Sequence, residues 1–539
     1  MTELLTLRKF ETLGPFEIKN ELIGLAKAAS RLAQSSFLNA GRGNPNWIAT
    51  EPRESFFLLG QFAITESKSV MDIAPGIGGM PRVNGIASRL EAWLTKHDDM
   101  PGAAFLSAMV NFAIEKFSFD RDAFVHELVD SIIGDNYPVP DRMLVHNERI
   151  VHEYLMWAMC GQPRPSGKFD IYAVEGGTAA MCYIFKSLKA NRLLFPGDTI
   201  ALGTPIFTPY LEMTHLEDYN LKVVNIAAPQ ENRFQYTDQE LKKLEDPKVK
   251  AFFIVNPGNP TGMGMNRETI TKIADLVKTK RPDLMLLTDD VYGTFVDDFR
   301  SLMGELPRNT IGVYSYSKYF GCTGWRLGAI AIHEDNIFDE KIAQLRDEYV
   351  KALDKRYGPI TLEPRKLKFI DRIVADSRDI GLNHTAGLSL PQQVMMTMFS
   401  LYELMDVDKR YQKACMEIVH KRFRSLIESL GLQLEPNAHY NGYYGLIDFE
   451  FWARKNIGDE AVDYLKKHVH PLDLAFRLAE DHGTVLLNGG GFEAPQWSLR
   501  VSLANLPDEA YDAIGRGVRT IARGYRDAYQ AAKTAAAKQ

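Results

Sequence analysis

Between residues 170 and 332 seven short apolar runs, rich in β-branched residues, recur with stretches of helical period between them. The runs are Asp170–Val174, Thr199–Leu202, Leu221–Ile226, Ala251–Val255, Leu284–Thr288, Thr310–Tyr314 and Ala329–Ile332. Near-continuous apolar strands alternating with helices predict an α/β fold, a mostly parallel seven-stranded sheet covered on both faces. Such a sheet places ligands outside the carboxyl ends of its strands. Polar residues stand at four of those ends: Glu175-Gly176-Gly177-Thr178 after the first run, Asn256-Pro257-Gly258-Asn259-Pro260-Thr261-Gly262 after the fourth, Asp289-Asp290-Val291-Tyr292 after the fifth and Ser315 to Lys318 after the sixth. Turn chemistry explains any one of them. It explains the four together, in this order, poorly.

The stretch Ser315-Tyr-Ser-Lys-Tyr-Phe-Gly-Cys-Thr-Gly-Trp-Arg-Leu-Gly328 sets Lys318 behind two serines, with Arg326 eight residues on. An amine that condenses with an aldehyde needs a buried position, a neighbouring cation to depress its pKa, and hydroxyl and guanidinium donors for a phosphate. Lys318 is therefore the candidate Schiff-base lysine. Gly177 and Thr178 open a helix, whose free N–H groups can hold a phosphate. Cys322, inside the lysine stretch, has no evident histidine partner and reads as a small loop residue.

Composition excludes several classes. The 539 residues allow two or more core-bearing domains. A formal net charge of -6 leaves no basic footprint for nucleic acid. Four scattered cysteines without CxxC spacing point to reduced thiols in the cytoplasm, and to neither a zinc site nor a disulfide framework. The first residues lack the pattern of a secretory leader, and no apolar run approaches the roughly 20 residues that span a bilayer.

Around this centre, residues 17–33 have helical period, and the turn-rich Asn39-Ala-Gly-Arg-Gly-Asn-Pro-Asn-Trp47 brings Gly43 and Arg42 toward a possible ligand. The expected organisation is an N-terminal arm over 1–60, a helical insertion over 61–135, a large domain over 136–395 and a smaller α+β domain over 396–539. Residues 334–380, dense in charge, read as a solvated helical pair, and the tail after Ile521 as a helix fraying into solvent.

Taken together these residues resemble the aspartate aminotransferase family, fold type I of the pyridoxal phosphate enzymes. The resemblance runs from about residue 136 and includes the N-terminal arm. The Asn-Pro-x-Asn-Pro-Thr-Gly run, the Asp-x-x-Tyr pair and the Ser-x-Ser-Lys-x(7)-Arg segment carry it. It implies that Asp289 pairs with the cofactor's ring nitrogen and that Asn256 and Tyr292 bond its ring oxygen. Gly177, Thr178, Ser315, Ser317 and Arg326 would surround the phosphate, and Phe207 would stack on the ring. Tyr137 corresponds to a tyrosine that reaches the phosphate of a neighbouring subunit, implying a dimer. Arg500, inside an apolar strand, corresponds to the arginine that grips the substrate α-carboxylate by a bidentate fork.

The family's arginine for a distal carboxylate is missing from the corresponding stretch, Asn383–Pro391. With the helical insertion and the chain length, that absence is similar to the branch of the family that releases the β-carboxylate of L-aspartate as carbon dioxide and leaves L-alanine. Aminotransfer as a side activity and dimers gathered into a dodecamer are further implications of this likeness. A tight arginine clamp on a departing carboxylate would stabilise the ground state more than the transition state. Arg42, or Lys19, is then the cation to recognise that group. An aminotransferase for aromatic or other amino acids, and a cofactor-binding regulator without turnover, remain alternatives. Against the regulator stands the absence of a helix-turn-helix pattern, and against a degenerate scaffold the presence of Lys318, Asp289 and Arg500 together.

Overall fold

The computed structural model describes residues 7–33, 36–384, 386–433 and 437–538. Residues 1–6, read above for a leader, and Thr385 of the arginine-free stretch lie outside them. All seven expected strands form: β1 Phe169–Val174, β2 Thr199–Thr204, β3 Lys222–Ala227, β4 Val249–Val255, β5 Met285–Asp289, β6 Thr310–Ser315 and β7 Gly328–His333. They make one sheet in the order β1-β7-β6-β5-β4-β2-β3. Only β7 runs antiparallel to its two neighbours. Side chains alternate between faces, as strand geometry requires. Phe253 and Leu287 enter the core on one face, Phe252 and Leu286 the core on the other.

Register decides where the site falls. Val255 of β4 stands opposite Asp289 of β5, and Asp289 opposite Val313 of β6. Backbone bonds continue the alignment past the strand ends, with Asn256 N–H donating to Asp289 O at 2.9 Å and Asp290 N–H to Val313 O at 2.9 Å. Asn256, Asp289 and Ser315 thereby emerge side by side.

The C-terminal region carries a three-stranded antiparallel sheet, β8 Tyr444–Asp448, β9 Leu487–Asn488 and β10 Ser498–Ser502, in the order β9-β10-β8. The N-terminal arm joins it: Leu38–Asn39 pairs with Thr484–Val485, and helix Pro15–Ala33 buries Ile18, Leu22 and Ala26 in the same core. Val485 and Leu487, two residues apart, thus pair with two different partners.

Helix Glu51–Val70 runs through residue 61, and helix Leu390–Met405 runs through 395/396. Val394, Met395, Met398 and Phe399 are buried with the core of helices Glu51–Val70, Ala103–Phe117 and Arg121–Ile133, so Leu390–Met405 packs with the added helices. A helix buried all round leaves no amphipathic stripe to show which neighbours it serves. The charged segment 334–380 is not a solvated pair. It forms helices Ile337–Ala343, Asp347–Tyr357 and Phe369–Ser377, the last packed on helix Gly177–Ala190. Its charges serve a buried network in which Asp376 accepts from Ser187 Oγ (2.6 Å), Tyr357 Oη (2.9 Å), Asn191 Nδ2 (3.1 Å) and Arg356 Nε (2.9 Å). The tail continues one helix, Ala510–Ala536, and buried Tyr525 within it donates to Asp473 at 2.7 Å. Among the described residues no helix is long and apolar enough to cross a membrane.

Candidate active site

A cavity of about 220 Å³ opens at the carboxyl ends of β4, β5 and β6. Of the residues expected there, Gly43, Gly177, Thr178, Phe207, Asp289, Tyr292, Ser315, Ser317, Lys318, Arg326 and Arg500 line it. Lys318 follows β6 by three residues, and its Nζ donates to Gly43 O at 3.0 Å. That bond ties the lysine loop to the N-terminal arm. A methyl group on Gly43 would stand 2.7 Å from Tyr444 Oη and 3.0 Å from Lys318 Nζ, so the backbone passes there only because the residue is glycine.

One end of the cavity is built for an anion. Helix Gly177–Ala190 points its free N–H groups inward. Ser317 N–H donates to Ser315 Oγ at 3.3 Å, and the two hydroxyl oxygens lie 3.0 Å apart. Arg326 is held by Glu175 O (3.1 Å) and Thr323 O (2.9 Å). Gly176, at φ 91°, makes room for it, since a Cβ there would meet the guanidinium at 2.5 Å.

At the floor Asp289 accepts from Tyr210 Oη at 2.6 Å and from Val291 N–H at 3.2 Å. Burial pushes its carboxyl up, and the bonds from Tyr210 and Val291 with the charge of Lys318 oppose the shift. Asn256 is buried behind the cavity wall, its Oδ1 accepting Met265 N–H at 2.9 Å while its Nδ2 has no partner. Tyr292 Oη donates to Tyr444 Oη at 3.4 Å. Phe207 lies edge-on to Tyr210, with ring centres 5.4 Å apart.

Arg500, on β10, is 1% exposed. It donates to Asn259 Oδ1 at 3.1 Å and Gly41 O at 3.0 Å, and its buried Nε has no partner. The guanidinium lies 4.4 Å from the ring centre of Tyr444, 5.0 Å from Phe492 and 5.5 Å from Phe16. Among the described residues no carboxylate neutralises it, and burial lowers its pKa. Lys19 packs over Phe16 at 5.4 Å, and its pKa is lowered by burial, then by Arg500 and Arg42. Arg42 is exposed, and neither it nor Lys19 lines the cavity wall itself. Tyr137 also stands outside the cavity, 65% exposed. Cys322 is buried with its thiol pushed up to about 12 by burial, as befits a loop residue without a reactive role.

Sequence reasoning did not single out Phe16, Tyr210, Asn259, Thr323 or Tyr444. Asn259 and Thr323 lie in stretches already quoted, and the Thr-Pro-Ile-Phe-Thr-Pro-Tyr turn contained the signal for Tyr210. Phe16 and Tyr444 reach the cavity from the arm and from β8, elements whose local pattern marks only their own core.

A fold of this topology with these residues at its strand ends defines an α/β enzyme of the aminotransferase type. The family model for aminotransferase class I and II matches residues 174–516, and the chain belongs to that family. It is 47% identical, over 97% of its length and 98% of the relative's, to a bifunctional aspartate aminotransferase and L-aspartate beta-decarboxylase of a Pseudomonas species. An aspartate aminotransferase of Pyrococcus abyssi is 37% identical over 26% of this chain and 36% of its own. Among solved structures, N-succinyldiaminopimelate aminotransferase of Mycobacterium tuberculosis superposes with a TM-score of 0.55, 17% identity and coverage of 96% of this chain and 98% of that one. A Thermus thermophilus aspartate aminotransferase double mutant gives 0.53, 18% identity and coverage of 94% and 96%. At such identities the two structures speak for the fold alone.

The cofactor of the class is pyridoxal 5'-phosphate, and the residues fit it. Asn259 and Tyr292 both line the cavity, with Asn259 Nδ2 3.5 Å from Tyr292 Oη, and their donors suit a phenolate oxygen. The space beside Gly177 is open: a Cβ there would have nothing nearer than 3.8 Å, with Asp289 and Ser315 across from it. The cavity is floored by one carboxylate and capped at one end by anion donors, which matches a cationic ring nitrogen and a phosphate.

Proposed function

We propose that this chain converts L-aspartate to L-alanine and carbon dioxide by β-decarboxylation, with aspartate aminotransfer as a side activity. The observation that carries this reading is the likeness to the bifunctional enzyme over nearly the whole of both chains, added helices included. The site's charges support it. After burial, the charges of Arg500 and Arg42 lower the pKa of Lys19, and Glu17 raises it. A dicarboxylate brings two negative charges to such a cluster.

When bound, pyridoxal phosphate supplies an electron sink for the pair freed at Cα or Cβ. Gly177, Thr178, Ser315, Ser317 and Arg326 would hold its phosphate, Asp289 its ring nitrogen, Asn256 and Tyr292 its ring oxygen, and Phe207 one ring face. Asp289 keeps that nitrogen protonated; the bond from Tyr210 orients the carboxylate for it. Arg500 grips the α-carboxylate, for which its unpartnered Nε is free. Lys318 takes the proton from Cα and later returns it. Lys19 and Arg42 recognise the β-carboxylate without a bidentate clamp, so that its charge can vanish as carbon dioxide leaves. Phe16, over which Lys19 lies, lines the cavity on that side.

The same reading treats the chain as an N-terminal arm, a cofactor domain, a C-terminal domain and an added bundle that includes Glu51–Val70 and Leu390–Met405. It has two chains sharing their sites, exposed Tyr137 reaching the neighbour's phosphate, and dimers gathered into a cytoplasmic dodecamer. Exposed Phe57 and Ile64 on helix Glu51–Val70, with Met71 and Ile73 just beyond its end, support the larger assembly, and sedimentation of the holoenzyme tests it. The activity is tested with aspartate carrying isotope in one carboxylate at a time. Label at the β-carboxylate leaves as carbon dioxide and label at the α-carboxylate stays in alanine; the opposite distribution overturns the proposal.

A further inference from the structure

The Gly43 carbonyl accepts two hydrogen bonds, from Lys318 Nζ at 3.0 Å and from Tyr443 Oη at 2.7 Å. Both of its lone pairs are occupied. A protonated Lys318 has three N–H donors, and after one is given to Gly43 it needs a further acceptor on the protein side. Asp289 already accepts from Tyr210 and Val291, Tyr443 has committed its proton to Gly43, and Arg500 is a cation. Among the oxygens lining the cavity, that of Tyr444 stands beside Gly43 with Lys318 Nζ. The Tyr444 Oη crowds the same side of Gly43 as Lys318 Nζ, within 2.7 and 3.0 Å of one common point, the position of an added Cβ. Tyr444 is 2% exposed, lines the same cavity, and receives only the long 3.4 Å bond from Tyr292.

We propose that Tyr444 is a positioning residue for Lys318: its oxygen accepts an N–H of the Lys318 ammonium and, with Gly43 O, aims the amine at the substrate's Cα. This rests on the reading of Lys318 as the proton carrier. The Cα–H bond breaks and the proton goes to Nζ, while pyridoxal phosphate, when bound, would supply the sink for the electron pair. The Arg500 guanidinium against the Tyr444 ring face, 4.4 Å away, favours electron density on that oxygen. The titratable and charged groups that face Tyr444 are Lys318, Tyr292, Tyr443 and Arg500, with Asp289 acting on Tyr292. Burial alone would raise the Tyr444 hydroxyl, but Lys318 and Arg500 together hold it below the usual phenol range.

Tyr444→Phe removes the oxygen and keeps the ring over Arg500. The holoenzyme variant is expected to lose about 10- to 100-fold in kcat, to keep KM for aspartate within about twofold, and to show a larger isotope effect with Cα-deuterated aspartate. A second readout needs neither turnover nor a Tyr444 variant. In cofactor-free protein, ultraviolet difference absorbance is expected to show one tyrosine ionising before the others, and Lys318→Ala to raise that midpoint by about one pH unit or more. An unmoved midpoint, or a Tyr444→Phe enzyme with unaltered kcat and isotope effect, overturns the proposal. Turnover persisting in Lys318→Ala would instead overturn the parent reading of Lys318.

Discussion

Replacing Arg500 by lysine keeps the charge and removes the fork. The wild-type guanidinium uses two nitrogens on Asn259 Oδ1 (3.1 Å) and Gly41 O (3.0 Å) and leaves Nε without a protein partner. A lysine can satisfy one or two of these acceptors and has no planar edge left for the substrate. The loss is one charge-assisted hydrogen bond to the α-carboxylate, about 1.5–3 kcal/mol. At about 1.4 kcal/mol per factor of ten, kcat/KM for aspartate falls about 10- to 150-fold. Because the bond is made in the ground state as well, binding should follow. Succinate, a dicarboxylate without an amino group, is expected to bind by Arg500→Lys protein more weakly by a similar factor, measured by its effect on the bound cofactor's absorbance. Stacking on Tyr444, Phe492 and Phe16 is lost too, so the thermal midpoint drops by a few degrees. Unchanged succinate affinity together with a fall confined to kcat would refute the assignment of Arg500 as a carboxylate fork.

Three further outcomes follow from the same geometry. Gly43→Ala puts a methyl group 2.7 Å from Tyr444 Oη and 3.0 Å from Lys318 Nζ, so activity should fall at least about tenfold; a folded variant of full activity would contradict the placement. Asn256→Ala removes the buried donor without an acceptor, and the pH midpoint of the bound cofactor's absorbance change should rise by about one to two units, because the anionic ring oxygen loses a bond worth about 1.5–3 kcal/mol. Glu403, buried beneath the lysine loop, accepts from Tyr319 at 3.0 Å, has its Oε1 unpartnered, and is pushed up to about 8 by burial. Its folded-state pKa is raised, so its contribution to stability is full below the ordinary glutamate range and is lost as pH rises through about 8. Thermal midpoints of Glu403→Gln measured between pH 5 and 9 should therefore decline less with pH than those of the unaltered protein.

Strands of the large sheet were legible because each is an unbroken apolar run, and their ends were legible because the polar residues of a ligand site interrupt the run where the strand stops. Asp289 and Lys318 could be found this way, each within three residues of a strand end. Tyr444 could not: it begins β8 in the C-terminal sheet, and nothing local distinguishes a tyrosine facing Lys318 from its neighbour Tyr443. Phe16 lies in the arm and meets the cavity only through tertiary packing. Charge density misled over 334–380, where Arg356 and Asp376 answer each other in a network with Tyr357 and Asn191. Composition reports how many charges a segment has; whether they face water or one another depends on the helix opposite, here Gly177–Ala190. Leu390–Met405 shows a different limit, since a helix buried on every side has no polar face to mark its neighbours.

The measurement that bears most directly on the central claim is product stoichiometry. Holoenzyme is incubated with L-aspartate, with and without an added 2-oxo acid, and carbon dioxide, alanine and oxaloacetate are quantified over many turnovers. Equal amounts of carbon dioxide and alanine are expected without sustained need for the 2-oxo acid, apart from occasional cofactor loss through aminotransfer. Turnover only in its presence, yielding oxaloacetate and no alanine formed directly from aspartate, would contradict β-decarboxylation and leave an aminotransferase.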